Sequence, residues 1–138
     1  MGIYDKPDPA MRTTLDPKLA PIRLKQGLVP PDTGIFLRID EGPGAGQAYV
    51  LSQGGVYLIG RDGADIELDD RKVSRKHAEI GLYGPEAYVL RDLASTNGTY
   101  VNGRRIGEKH KLQNGDVIRV GETTLQFTML ENTVPLSD

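Results

Sequence analysis

GRDGADIELDDRKVSRKHAEIGLYGPEAYVLRDLASTNGTYVNG, residues 60 to 103, holds three loop-like clusters separated by runs in which apolar and polar residues alternate. The clusters are Gly60-Arg61, Ser74-Arg75-Lys76-His77 and Ser95-Thr96-Asn97-Gly98-Thr99. A two-residue period predicts strands, and loops at strand ends can converge on one rim of a sheet. Such a rim would carry the guanidinium groups of Arg61 and Arg75, the hydroxyls of Ser74 and Thr96, and the amide of Asn97. Those groups are mostly hydrogen-bond donors, two are permanently charged, and the clusters contain no carboxylate. That chemistry suits an oxyanion.

The same texture continues on both sides. Upstream, Ile35 to Asp40 alternates, Glu41-Gly42-Pro43-Gly44-Ala45-Gly46 turns the chain, and Gln47 to Leu51 and Val56 to Ile59 read as strands. The glycine run lacks the Gly-Lys-Ser/Thr ending of a P-loop and no helical pattern follows it, so it is read as a hairpin turn. Between Asp62 and Asp70, five carboxylates surround Ile66 and Leu68 without the ligand spacing of an EF-hand, and a surface loop around a short strand is expected. Downstream, Asn102-Gly103 marks a tight hairpin, Leu112 to Ile118 repeats that layout, and Thr123 to Met129 is a last strand with Leu125, Phe127 and Met129 on one face. About ten or eleven short strands and no helix predict an all-β sandwich.

The order and spacing of the clusters resemble the forkhead-associated (FHA) family, whose pattern is Gly-Arg, then Ser-x-x-His, then Ser/Thr-x-Asn-Gly-Thr, a hydrophobic residue, Asn and Gly. Here it stands as Gly60-Arg61, Ser74 to His77, and Ser95 to Gly103. The resemblance covers about residues 34 to 130 and implies an FHA-like β-sandwich that binds phosphothreonine peptides. It implies phosphate contacts from Arg61, Ser74, Thr96 and Arg75, a peptide-backbone contact from Asn97, and scaffold roles for Gly60, His77 and Gly98. Lys72 is a candidate for reading the third residue after the phosphothreonine, where a cation favours an acidic side chain.

Composition narrows the alternatives. The chain has 138 residues, 38% of them hydrophobic, with two Phe and no Trp, which suits one domain of ordinary size plus polar extensions. A net charge of −2 gives no field that attracts nucleic acid or an anionic membrane, so neither partner is expected. Cys is absent, which excludes disulfides and thiol catalysis. No long apolar run is found, and a cytoplasmic location is expected. No cofactor or metal is expected, and neither is catalysis. Ser74 and His77 stand three apart on a loop, with no Gly-x-Ser-x-Gly elbow and no third group to orient a base.

Residues 1–33 hold six of the nine prolines, which limit any regular element there, and a mobile tail is expected, with 131–138 fraying at the other end. Thr13 and Thr14 are candidate sites for a Ser/Thr protein kinase; phosphorylation would add about −1.5 to −2 charges at either. The unmodified, solvated tail stands beside that reading. A phosphothreonine at Thr13 would have Asp16 three residues on, and the resemblance extends to small bacterial FHA proteins with a kinase-modified threonine pair before the domain. It implies that the tail docks into its own domain and closes the site. The competing function is a scaffold whose partners need no phosphate.

Overall fold

Along Gly34–Glu41, Ile35, Leu37 and Ile39 are buried while Arg38 and Asp40 are exposed, the two-residue period of a strand lying on a core. The computed structural model describes residues 21–24, 34–84 and 86–130. Within them the chain forms twelve strands and no helix. These are β1 (Ile22–Leu24), β2 (Gly34–Glu41), β3 (Ala48–Leu51), β4 (Val56–Gly60), β5 (Ile66–Glu67) and β6 (Ala78–Leu82), followed by β7 (Tyr88–Asp92), β8 (Thr99–Val101), β9 (Arg104–Arg105), β10 (Lys109–Lys111), β11 (Val117–Val120) and β12 (Thr123–Leu130).

The strands make two sheets, one of seven in the order β1-β3-β2-β12-β11-β8-β9 and one of five in the order β10-β7-β6-β4-β5. Ladders are antiparallel except where β5 runs parallel to β4. Inward residues of both sheets share one core, in which Leu37, Ile59, Ile80, Leu90, Ile118, Leu125 and Phe127 are fully buried. Tyr88 of the smaller sheet meets Phe127 of the larger one with ring centroids 6.0 Å apart, a tilted aromatic pair. This is the β-sandwich that the alternation predicts.

Three local features depart from the sequence-based expectation. Ile22-Arg23-Leu24 lies inside the stretch expected to be a tail, yet it pairs antiparallel with β3, Arg23 opposite Tyr49. Its three-residue alternation is too short to stand out between flanking prolines. Strand β10 consists of Lys109, His110 and Lys111 and is held by pairing with β7 rather than by apolar side chains. The acidic segment holds the short strand expected of it, β5, but is only half surface, since Ile66, Leu68 and Asp70 are buried while Glu67 and Asp69 are exposed. The β8–β9 turn follows its sequence signal, with positive φ at both Asn102 (52°) and Gly103 (85°). Thr13, Thr14, most of residues 1–33, and 131–138 lie outside the described residues. Among the described residues no helix is long and apolar enough to cross a membrane, and no group of three or more His, Asp or Glu stands close enough to hold a metal ion.

Candidate functional site

Strand β4 ends at Gly60, the segment 68–77 leads into β6, and the segment 93–98 carries the chain from β7 to β8. These three ends meet. A Cβ on Gly60 would stand 1.8 Å from the Arg75 carbonyl oxygen, so the two backbones approach as only glycine permits. Next to it the Arg61 N–H donates to the Ser74 carbonyl (3.0 Å) and Arg61 Nε donates to the Val73 carbonyl (3.0 Å). Nε is therefore occupied. Among the described residues no acceptor takes the Nη protons, and the exposed guanidinium presents them to solvent.

Ser74 is the hub of the rim. Its carbonyl receives Arg61, its N–H donates to His77 Nδ1 (2.9 Å), and its Oγ accepts the Thr96 N–H (3.0 Å). The hydroxyl proton finds no acceptor among the described residues and is free to donate outward. Thr96 and Asn97 are both exposed, and Asn97 Nδ2 donates to the Lys72 carbonyl (2.8 Å), which fixes the 93–98 segment against the 68–77 segment. The Lys72 ammonium stands 3.0 Å from Glu122, with both side chains more than half exposed. Such a pair is weak and exchangeable. Arg75 is exposed on the same segment as Ser74.

His77 is fully buried beneath these loops. The Ser74 N–H faces Nδ1, which must accept, and the Gly98 carbonyl lies 2.9 Å from Nε2, which must carry the proton. One ring thus ties the 68–77 and 93–98 segments together. Both nitrogens are occupied by backbone groups, which leaves neither to take a proton from the Ser74 hydroxyl.

Two carboxylates that sequence reasoning missed complete the scaffold. Asp92 accepts from Ser95 Oγ (2.6 Å), Thr99 Oγ1 (2.7 Å) and the Ser95 N–H (3.1 Å), and Ser95 Oγ in turn accepts the Gly98 N–H (2.9 Å). Burial pushes the Asp92 carboxyl up, but the hydrogen bonds from Ser95 and Thr99 outweigh it and hold the group below the ordinary carboxylate range. Asp70, buried, accepts from Thr123 Oγ1 (2.7 Å), the Glu122 N–H (2.8 Å) and the Lys72 N–H (2.9 Å). Burial again acts upward, and those bonds and the Lys72 charge again prevail, so its carboxyl also lies below the usual value. Asp92 has a faint local signal, an acid three residues before a serine. Asp70 has none, because its main partners are about fifty residues away.

The structure therefore gathers Arg61, Lys72, Ser74, Arg75, Thr96 and Asn97 on one rim, with Gly60, His77 and Gly98 behind them. What results is a firm donor surface with one tethered guanidinium, one hydroxyl proton without an acceptor among the described residues, and the exposed side-chain amide of Asn97.

A family model described as the FHA domain matches residues 57–121. The glycogen accumulation regulator GarA of Mycolicibacterium smegmatis is 39% identical over 108 residues, a match spanning 78% of this chain and 65% of that relative, less than two thirds of its length. The oxoglutarate dehydrogenase inhibitor of Corynebacterium glutamicum is 34% identical over 132 residues, 88% of this chain and 91% of the relative. A solved structure titled as a structural and functional analysis of phosphothreonine-dependent FHA domain interactions superposes with a TM-score of 0.63 at 38% identity, covering 72% of this chain and 99% of that one.

Proposed function

Because this chain belongs to the FHA domain family, we propose that it is a phosphothreonine-binding signalling adaptor of the cytoplasm rather than an enzyme, its ligand supplied by a Ser/Thr protein kinase. One observation carries the reading. The Arg61 backbone and Nε are bonded to the segment that bears Ser74, leaving the Nη protons and the Ser74 hydroxyl proton available on the same rim. A phosphate dianion offers three oxygens to those donors, with Thr96 and Arg75 as further contacts, Asn97 for the peptide backbone, and Lys72 for an acidic residue three positions on. Each charge-assisted bond contributes about 1.5–3 kcal/mol, and about 1.4 kcal/mol is a factor of ten, so two of them separate phosphorylated from plain peptide by roughly 10²–10⁴. Because the scaffold bonds are already made, little ordering remains to be done on binding.

The test is a titration of matched phosphothreonine, phosphoserine and plain peptides into the protein and its Arg61→Ala variant. Binding is expected to need both the phosphate and Arg61, with a loss of at least about 100-fold in the variant. Equal binding of the plain peptide would instead establish a scaffold that needs no phosphate.

The same reading includes a closed state in which the phosphorylated tail occupies the site. Pro21 shares a cleft with Asp65, Glu67 and Asp69, and Glu67 is in register with Gly60, the last residue of β4 before Arg61, so the tail joins the domain on the side where that strand ends. Eight residues separate Thr13 from Pro21, a reach of about 26 Å when extended. The similarity to the C. glutamicum relative also covers more of the chain than residues 34–130 comprise. Phosphorylation at Thr13 or Thr14 is expected to weaken capture of a phosphothreonine peptide added in trans, and unchanged affinity would dispose of the closed state.

A further inference from the structure

Residues 106–108 join β9 to β10, the free edges of the two sheets. Strand β10 ends the smaller sheet, and its ladder uses only one side of its backbone. The Glu108 carbonyl accepts the Asp92 N–H (3.0 Å) and the Leu112 N–H donates to the Tyr88 carbonyl (2.7 Å), so residues 108, 110 and 112 face β7. Lys109 and Lys111 turn their N–H and C=O groups the other way, and among the described residues no group meets those four. Their side chains are exposed on the outer face, Lys109 opposite exposed Arg91, while His110 lies on the inner face opposite fully buried Leu90. Next to His110 opens a cleft of about 560 Å³, lined also by Val101, Asn102, Arg104, Arg105 and Ile106 of the β8–β9 hairpin and its exit. Both arginines are exposed, and among the described residues no carboxylate pairs with them or with the two lysines. Asp116 stands 3.4 Å from His110 Nε2 but already accepts from Asn102 Nδ2 (3.0 Å) and the Gln113 N–H (2.9 Å). Glu108 is exposed at one end of the strand.

We propose that the β10 edge is a docking site for an extended acidic segment of a partner protein, which joins the five-stranded sheet as a further strand and needs no phosphate. It uses none of the rim residues and stands apart from the phosphothreonine reading. An added strand would lie about 4.8 Å from β10, beside the cleft, and complete the four unused backbone groups. Its side chains alternate between the faces, so those outside meet Lys109 and Lys111 and those inside meet Arg104 and Arg105. The lysines also decide against a second copy of this chain, because antiparallel self-pairing centred on His110 sets Lys109 against Lys111. A polynucleotide would meet the charges but has no strand backbone to complete the edge.

The experiment titrates the protein with an unphosphorylated peptide of alternating Glu and Thr and with its Lys-for-Glu counterpart, followed by amide NMR. The acidic peptide is expected to bind at least about tenfold more tightly, and the Lys109 and Lys111 amides to shift and become protected from exchange. Directly opposed residues share a face, so a Glu opposite Lys109 aims its own N–H at β10. N-methylation of the Glu residues should therefore abolish binding, and N-methylation of the Thr residues should spare it. Lys111→Pro deletes an outward N–H along with the charge and breaks no bond to β7, so it should weaken binding more than Lys111→Ala does. Both variants should take a phosphothreonine peptide as the parent does. No binding at millimolar peptide, equal effects of the two N-methylated sets, or an oligothymidylate that binds as well as the peptide would each overturn strand addition, the last leaving a bare cationic surface.

Discussion

Replacing His77 with alanine removes the one side chain that holds both recognition loops from below. The Ser74 N–H and the Gly98 carbonyl would each lose their partner beneath the rim, at a cost of about 1–3 kcal/mol apiece, and the ring would leave unfilled volume in a fully buried place. A loss of about 4 kcal/mol is expected. For a domain of this size that lowers Tm by about 15–30 °C. His77→Asn can still accept from Ser74 through its side-chain oxygen but is too short to reach Gly98, so it should fall between the parent and alanine. Thermal unfolding by circular dichroism measures the three, and hydrogen exchange at the Ser74 amide reports the loop directly, slow in the parent and fast in His77→Ala. Phosphopeptide affinity should fall in parallel with loop order. An alanine variant melting within 5 °C of the parent, with the Ser74 amide still protected, would refute the claim that this ring organises the rim.

Gly60→Ala places a methyl group 1.8 Å from the Arg75 carbonyl, a backbone clash that no rotamer relieves; a loss of about 2–4 kcal/mol and weakened phosphopeptide binding are expected in denaturation and titration. Asp70→Asn keeps the shape of the carboxylate but turns one acceptor into a donor facing the Lys72 or Glu122 N–H, which should cost about 2 kcal/mol by urea unfolding. Because the folded-state pKa values of Asp70 and Asp92 lie below the ordinary value of about 3.9, their contribution is fully present above that pH and is lost as pH falls through the lower folded values; Asp70→Asn should flatten the acid limb of a stability profile. Glu122→Ala removes only an exposed partner of Lys72 and is expected to change stability by less than about 1 kcal/mol.

The sandwich was legible because most strands bury alternate residues, as Ile35, Leu37 and Ile39 do, and because Asn102-Gly103 has the backbone its turn requires. β1 and β10 were not. Lys109-His110-Lys111 shows no apolar period, and only the Arg91, Leu90 and Val89 backbones opposite make it a strand. At the rim, Arg61, Ser74 and Thr96 could be picked out because donors clustered in short segments. Asp70 looked like one more surface acid, since nothing near it in the chain reveals its bonds to Glu122 and Thr123.

The pairing of Gly34 with Leu130 places the start of β2 beside the end of β12 on neighbouring strands. Tension applied at those two points would open β2 from β12 like a zipper, breaking hydrogen bonds one after another instead of shearing many at once. The domain should be mechanically soft. A host polypeptide could accept the domain as a cassette at one surface position, its entry at β1 and its exit at β12 lying on the same sheet about three strand spacings, roughly 14 Å, apart.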